Sequence, residues 1–245
     1  MWNRLSILAL GAALVGLIEA QGDMIQARTG LRLEVARVAV RNMSRERDVA
    51  LADGVLTNDA AAVVNDPEID LVVEVIGGIE PARSLMYAAF ESGKSVVSAN
   101  KALIAEHGME IAALAEKHDT HLLFEAAVAG AIPIVRAVKN SLSGVIVSRV
   151  SGILNGTCNY ILSEMLRTGA AYETVLAEAQ RLGYAESDPF LDVSGGDAAH
   201  KVLILAAIAF GAQPDFAQVQ VEGIDKIEAM DITLANKFDY RIKLV

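Results

Sequence analysis

Apolar runs of strand length alternate with helical patterns through the first half of the chain. The strand-like runs lie at residues 33–40, 71–76, 95–100 and 121–128. The helical patterns lie at residues 9–28, 60–66, 81–93 and 101–117. Strands that alternate with helices pair in parallel, and the helices cover the faces of the sheet. This half therefore predicts an α/β fold with a doubly wound, Rossmann-like parallel sheet.

The pattern changes after Pro133. The run VIVSRVSGIL at 145–154 alternates apolar and polar positions and predicts a long strand, and QVQVEGI at 218–224 predicts another. Helical patterns fill most of the remainder, at 134–142, 155–169, 172–182 and 202–210. This arrangement is typical of an α+β domain. We therefore predict two domains, one at 1–132 that is built on the parallel sheet and one at 133–245 of the α+β class.

Composition narrows the class of protein. Hydrophobic residues make up 53% of the 245 residues, which is enough for a substantial core. The formal net charge is −10, and no cluster of Lys or Arg interleaves with aromatic residues, so a nucleic-acid partner is not expected. The one cysteine, Cys158, excludes an internal disulfide and fits a reducing, cytoplasmic location.

The amino terminus has two interpretations. Arg4 followed by the apolar stretch 5–20 has the charged start and apolar run of a signal peptide, and a buried first helix of the domain would show the same pattern. A membrane-spanning helix is not expected, because the run is shorter than the roughly 20 residues that a span needs. It also contains Glu19.

Polar residues and glycines follow the predicted strands at Arg41, Gly77, Gly78, Asn100 and Lys101. The carboxyl ends of parallel strands meet at one edge of the sheet, and ligands bind there. Arg41 could hold the 2′-phosphate of NADP or be a solvated loop residue, and the first interpretation favours NADP over NAD. Lys101, judged by its position alone, is typical of a surface residue.

The segment 183–201, GYAESDPFLDVSGGDAAHK, concentrates acidic residues and a lysine between two apolar helical patterns. Lys201 lies four residues after Asp197, on a helical face that it shares with the apolar residues that follow, so we expect that face to be buried. A buried lysine requires a partner, which Asp197 can supply, while Glu186 and Asp192 approach from the loop. The alternative is an ordinary ion pair on a helix surface.

Several motifs together resemble homoserine dehydrogenase. They are SANKALIAEHG at 98–108, FEAAVAGAIPIV at 124–135, GILNGTCNYIL at 152–162, the segment 183–201 and the closing DITLANKFDYRIKLV at 231–245. The resemblance implies an oxidoreductase that interconverts L-homoserine and L-aspartate 4-semialdehyde with NADP or NAD, in threonine, isoleucine and methionine biosynthesis. It also implies a nucleotide-binding domain at 1–132 and a substrate-binding and catalytic domain at 133–245. The second domain is further implied to serve dimerisation, in a cytoplasmic homodimer.

The resemblance assigns roles to single residues. The catalytic set is Lys201, which matches the proton-donating lysine, Lys101, which matches a second lysine between the cofactor and substrate sites, and Asp197. Substrate binding is implied for Glu186, Asp192 and Asp197, and cofactor binding for Gly11, Arg41, Gly77, Gly78, Asn100 and Lys101. A sodium ion, held largely by backbone oxygens, is implied at Glu125, Val128, Gly130 and Ile132. We interpret Cys158 as structural.

The sequence departs from the family at its Gly-rich turn. A GxGxxG turn lets the backbone approach the pyrophosphate of a dinucleotide. The three glycine positions fall on Ser6, Leu8 and Gly11, so only the third glycine remains, and the first strand is reduced to MWNRL. We therefore expect weakened or absent dinucleotide binding.

The other end of the chain also differs from the family. After YRIKLV the family continues with further strands and a helix, and some members add a regulatory ACT domain. A second hypothesis is therefore a non-catalytic, truncated homologue that folds partly or pairs with an intact subunit. Stabilisation by added NADPH distinguishes an active dehydrogenase from this alternative.

Overall fold

The computed structural model describes residues 4–8, 11–212 and 215–245, with the side chains of 11–212 and 215–245. By its internal contacts the chain divides into two compact units, Met1–Ile134 and Val135–Val245. Within the described ranges, no helix is both long enough and apolar enough to cross a membrane.

A parallel sheet forms the centre of the first unit. Its strands are β1 (Arg4–Leu8), β2 (Glu34–Ala39), β3 (Leu56–Thr57), β4 (Leu71–Glu74), β5 (Ser95–Ser98) and β6 (Leu122–Leu123). They are ordered β3-β2-β1-β4-β5-β6, and every pair is parallel. The order reverses at β1, and such a reversal opens a crevice at the carboxyl ends of the strands. The doubly wound α/β fold predicted from the alternating pattern is confirmed.

Helices connect these strands. They are α1 (Ala12–Thr29), α2 (Ala60–Asn65), α3 (Ala82–Glu91) and α4 (Lys101–Lys117). Side chains cap two of them, because Asp59 accepts a hydrogen bond from the Ala62 amide and Asn100 accepts one from the Leu103 amide. After β6 the chain forms a 3-10 turn at Glu125–Ala127, where the sequence predicted a longer strand.

One part of the core of the first unit forms between α1 and the sheet. Val15 and Ile18 of α1 pack with Val38, Leu71 and Val73 of the neighbouring strands. All four residues of β4 are buried, as expected for a parallel strand that is covered on both faces. The burial of Val15 and Ile18 agrees with the interpretation of this pattern as a first helix of the domain.

The first strand differs from its prediction. Instead of ending within MWNRL, β1 runs from Arg4 to Leu8, and Leu8 pairs with Ala39 on one side and with Glu74 on the other. The positions of the first two family glycines, Ser6 and Leu8, therefore lie in the strand.

The described part of the second unit is helical. Its helices are α5 (Ile134–Arg136), which continues into a π-helical turn at Ala137–Ser141, α6 (Gly156–Thr168), α7 (Tyr172–Arg181), α8 (Phe190–Val193), α9 (Gly196–Phe210) and α10 (Ala229–Lys237). Cys158, Ile161 and Met165 of α6 pack with Val175 and Ala179 of α7. Spacings of three and four residues place these side chains on one face of each helix.

The two strand predictions in this unit are wrong. Residues 145–154 form no strand, and the Ile146 side chain is 96% exposed. The predicted strand at 218–224 begins at the end of a 3-10 turn, Phe216–Gln218, and then runs irregularly. A strand is stabilised by hydrogen bonds to a neighbouring strand. Among the described residues of the second unit there is no such neighbour.

Candidate active site

The carboxyl-terminal edge of the sheet carries a cavity of about 560 Å³. Arg41, which follows β2, and Gly77, which follows β4, both line it, so two of the predicted cofactor residues are brought together. The other lining residues include Asn42, Arg45, Arg47, Asn58, Ala60, Ile76, Glu80, Pro81 and Leu85. Gly78, Asn100 and Lys101 follow β4 and β5 at the same edge of the sheet, outside this lining.

Arginines give the cavity a basic wall. Arg41 and Arg45 are exposed. The Arg47 guanidinium donates to the backbone oxygens of Asn42 and Arg45, both at 2.5 Å, so this side chain folds the loop after β2. Two arginines therefore remain exposed at the cavity, which favours an anionic ligand.

Glu80 is the acidic residue of the same wall. The Ser84 hydroxyl donates to its carboxylate at 2.8 Å, and the Arg83 guanidinium lies 2.8 Å from it. The hydrogen bond from Ser84 holds the pKa of the Glu80 carboxyl below its usual range, with Arg83 adding to the effect. Because Arg83 faces this carboxylate directly, the charge of Glu80 does not cancel that of the two exposed arginines.

The turn after β4 needs glycine for conformational reasons. Gly77 and Gly78 have φ angles of 78° and 73°. A Cβ built on either residue meets no other atom within 4 Å, so space is not the restriction. The left-handed backbone is costly for residues that carry a Cβ, and this cost explains why two glycines follow the strand.

Sequence reasoning missed Glu74, the last residue of β4. This carboxylate is completely buried, and it accepts hydrogen bonds from the Ile76 amide at 2.8 Å and from the Ser98 hydroxyl at 2.5 Å. The signal was present in the sequence, because one charged residue interrupts the apolar run LVVEVI. Charged residues are rarely buried unless they are partnered, so such an interruption marks a position to inspect.

Gly11 is buried and forms the N-cap of α1. Among the described residues, no side chain caps this end of the helix. The first amides of a helix lack partners within the helix and carry its positive dipole end, so this position suits a negatively charged group.

In the second unit, Asp197 and Lys201 form a buried ion pair. Both lie on α9, and Lys201 Nζ is 2.6 Å from Asp197 Oδ2. The Asp197 side chain is 2% exposed and that of Lys201 is 18% exposed. Lys201 Nζ also donates to the backbone oxygen of Leu154 at 2.8 Å. The predicted pair is therefore confirmed, and its burial contradicts the alternative of a surface pair.

Asn155 joins two of the acidic residues and was also missed. Its Nδ2 donates to Asp192 Oδ1 at 2.8 Å and to Asp197 Oδ2 at 2.9 Å. Its Oδ1 accepts from the Cys158 amide at 2.8 Å and so caps α6. One buried amide thus fixes the start of α6 to both carboxylates. Its position within the motif ILNGTCN was the available signal.

Cys158 lies against Asn155 and Asp192. Its thiol is buried and donates to the backbone oxygen of Asp192 at 3.2 Å. Burial, followed by the charges of Asp192 and Asp197, raises the pKa of Cys158 to about 12. A thiol that stays protonated is a poor nucleophile, which agrees with a structural role.

Glu186 does not join the hydrogen-bonded group of Asn155, Asp192, Asp197 and Lys201. Its side chain is exposed, and within the described ranges it makes no hydrogen bond or ion pair. Its backbone oxygen accepts from Gln180 Nε2 at 3.1 Å. Of the two loop acids expected near Lys201, Asp192 is linked to Asp197 through Asn155, and Glu186 is not. Apart from the buried Ala185, residues 183–188 are exposed, which keeps the charged Glu186 hydrated.

The positions matched to a sodium site lie along the turn after β6. Glu125 begins the 3-10 turn, Val128 is buried and Ile132 is 60% exposed. Ala129 and Ala131 have φ angles of 48° and 68°. In the part of the chain that the structure describes, no group of three or more His, Cys, Asp and Glu side chains is placed to hold a metal.

Comparison with known proteins covers both units. The family model for the homoserine dehydrogenase NAD binding domain matches residues 9–125, and the homoserine dehydrogenase model matches residues 133–245. Homoserine dehydrogenase from Synechocystis is 46% identical over 100% of this chain and 57% of its own length. The enzyme from Corynebacterium glutamicum is 48% identical over 96% of this chain and 53% of its own length.

Solved structures of homoserine dehydrogenases match the fold of this chain. A homoserine dehydrogenase from Thiobacillus denitrificans is 46% identical with a TM-score of 0.92, covering 98% of this chain and 56% of that chain. A provisionally assigned homoserine dehydrogenase from Archaeoglobus fulgidus is 32% identical with a TM-score of 0.88, covering 98% of this chain and 78% of that chain. The chain spans about half the length of the curated relatives it matches. With both units matched to one family in sequence and in fold, the chain belongs to the homoserine dehydrogenase family.

Proposed function

We propose that this chain carries the catalytic region of an NAD(P)-dependent homoserine dehydrogenase, which interconverts L-homoserine and L-aspartate 4-semialdehyde. The observation that carries the proposal is the buried pair of Asp197 and Lys201, with Nζ and Oδ2 2.6 Å apart. NAD(P)H, when bound, supplies the hydride that reduces the aldehyde carbon. The protein then has to stabilise the negative charge on the aldehyde oxygen and supply one proton to it.

Lys201 is suited to that proton transfer. A lysine ammonium has three N–H donors. Asp197 and the Leu154 carbonyl occupy two of them, at 2.6 and 2.8 Å. The third has no acceptor among the described residues, and in the proposed reaction it points to the substrate oxygen. Asp197 keeps the ammonium charged and oriented, and the amine that remains after the transfer recovers its proton from water.

The acidic residues are proposed to bind the ammonium group of the substrate. Asp192 and Asp197 are held together through Asn155. Glu186, which is exposed, is proposed to engage the substrate from the loop. Lys101, the first residue of α4, is proposed to take part in catalysis.

We propose NADP(H) as the preferred cofactor. The residues of the first unit fit a phosphorylated dinucleotide, because Arg41 and Arg45 line a 560 Å³ cavity and no described side chain caps α1. An arginine fork pairs with a phosphate at two oxygens, so Arg41 is the candidate for the 2′-phosphate.

Three further properties belong to the proposal. A sodium ion is proposed at the backbone of Glu125, Val128, Gly130 and Ile132, supported by the two left-handed alanines in that turn, since such backbone persists only where its surroundings hold it. A homodimer and a cytoplasmic location are proposed from the family resemblance and from the single buried thiol. The sodium assignment is tested by whether sodium, in preference to potassium, raises the melting temperature.

A direct assay tests the function. The purified chain is incubated with L-homoserine and either NADP⁺ or NAD⁺, and reduced cofactor is followed by absorbance. In parallel, NADPH at 100 times its Kd should stabilise the fold by about 2.7 kcal/mol. That stabilisation corresponds to a rise in melting temperature of roughly 5–10 °C for a chain of this size. Absence of both turnover and stabilisation at millimolar NADPH would favour the non-catalytic alternative.

A further inference from the structure

The buried carboxylate of Glu74 has no role in the reaction described above. It is 0% exposed at the carboxyl end of β4. Within the described residues its hydrogen-bond partners are all uncharged, and no lysine or arginine pairs with it. Burying an ionisable group without an opposite charge is costly. Its place in the core therefore depends on the hydrogen bonds that it accepts.

These hydrogen bonds come from two different loops. Glu74 Oε1 accepts from the amides of Ile76 at 2.8 Å and of Gly77 at 3.4 Å, both in the turn after β4. Glu74 Oε2 accepts from the Ser98 hydroxyl at 2.5 Å, at the end of β5. Asn100 Nδ2 lies 3.5 Å from Oε1, a longer and weaker contact. One side chain thus connects the carboxyl ends of two neighbouring strands.

Asn100 extends this connection to a helix. Its Nδ2 donates to the Gly78 backbone oxygen at 2.6 Å, and its amide donates to Ser98 Oγ at 3.0 Å. Its Oδ1 accepts from the Leu103 amide at 3.2 Å and caps α4, which begins at Lys101. The glycine turn and the start of α4 are therefore joined by two routes. One is the direct hydrogen bond from Asn100 to Gly78, and the other runs through Glu74 and Ser98.

We infer that Glu74 is a positioning residue, which sets the spacing between the Gly77–Gly78 turn and the amino terminus of α4 and thereby shapes the cofactor site. The inference rests on the proposed function for the identity of the ligand. All the contacts lie in the first unit. A carboxylate is suited to this position because it only accepts hydrogen bonds, and every neighbouring group in the network donates to it.

Glu74→Gln tests the chemistry without changing the volume. One terminus of the glutamine side chain becomes an NH₂ group, which donates. Near Ser98 it meets a hydroxyl that already accepts from the Asn100 amide, and near Ile76 it meets a backbone amide. If the NH₂ group faces Ser98, the Ser98 hydroxyl loses its acceptor, and if it faces Ile76, the Ile76 amide loses its acceptor. Glu91→Gln, in an exposed position at the end of α3, removes the same charge and serves as the matched control.

Hydrogen exchange in the cofactor-free protein provides the first measurement. In Glu74→Gln, the Gly77 and Leu103 amides should exchange about tenfold faster, since loss of roughly 1.4 kcal/mol changes an equilibrium tenfold. The Val38 amide, which donates to Val55 on the opposite side of the sheet, should be unchanged. Unchanged exchange at Gly77 and Leu103, or equal acceleration at Val38, would overturn the inference.

NADPH binding provides the second measurement. The Kd of Glu74→Gln for NADPH should rise about tenfold, while Glu91→Gln should bind as the parent chain does. Faster exchange with an unchanged Kd would overturn the positioning role. If the parent chain itself does not bind NADPH, the proposed function fails, and exchange at Gly77 and Leu103 alone decides the role of Glu74. If Glu74→Gln does not fold, Ser98→Ala, which removes one link, should accelerate the same two amides, and no acceleration would overturn the inference.

Discussion

Replacing Lys201 by alanine tests the pair at the centre of the candidate active site. The substitution leaves the Asp197 carboxylate 2% exposed without its cation, although Asn155 still donates to it at 2.9 Å. Breaking a buried ion pair by removing one partner costs roughly 3–5 kcal/mol, and the remaining amide favours the lower end of that range. We expect the melting temperature to fall by about 6–12 °C, since about 1 kcal/mol shifts it by roughly 2–4 °C in a chain of this size.

Turnover of the Lys201→Ala variant should fall further than its loss of stability explains. Loss of a positioned proton donor typically lowers the rate by about 10² to 10⁴ fold. The double variant Lys201→Ala/Asp197→Asn separates the two effects, because a neutral residue 197 removes the uncompensated charge. It should recover most of the lost melting temperature and remain inactive.

The measurements are homoserine-dependent formation of NADPH and thermal unfolding, both compared with Lys237→Ala, an exposed lysine on α10. Turnover within tenfold of the parent in the single variant would refute the proton-donor role. Turnover that returns together with stability in the double variant would mean that unfolding caused the loss.

Three further outcomes are expected. Arg41→Ala should raise KM for NADPH at least tenfold and leave KM for NADH within about twofold, because NADH has no 2′-phosphate for Arg41 to contact. Equal changes in the two KM values would exclude that contact. Gly77→Ala should destabilise the fold by about 1–2 kcal/mol in urea unfolding, because its φ is 78°; no change would mean that the turn relaxes freely. The pKa of Cys158 is raised to about 12 from 9.0, so its protonated form contributes stability that is complete below pH 9 and is lost as the pH rises toward 12. Cys158→Ala should reduce the fall in the free energy of unfolding with pH by up to about 1.4 kcal/mol per pH unit. An unchanged slope in unfolding experiments at pH 9–11 would contradict the raised pKa of Cys158.

Local patterns were sufficient for several parts of the molecule. The alternation of strands and helices in residues 33–117 predicted the parallel sheet, because each element is specified by its own periodicity. The pair of Asp197 and Lys201 was predicted for a similar reason, since residues four apart on a helix are neighbours whatever surrounds them.

Contacts between distant residues limited the remaining predictions. The strand predicted at 145–154 has the required alternation, yet a strand forms only where another strand accepts its hydrogen bonds. Asn155 reaches Asp197 from 42 positions away in sequence, a distance that no periodicity reports. Glu186, which the family motif grouped with these residues, remains exposed because its loop follows the surface.

The sequence by itself determined the family, the alternation of strands and helices in the first unit and the residue types available for chemistry, because these depend on local pattern and on motif. Only the tertiary structure decided that Glu74 joins two loops, that Asn155 holds two carboxylates and that β1 continues to Leu8. The physical reason is burial. A buried polar group must find its partners wherever the fold brings them, and those partners are seldom its neighbours along the chain.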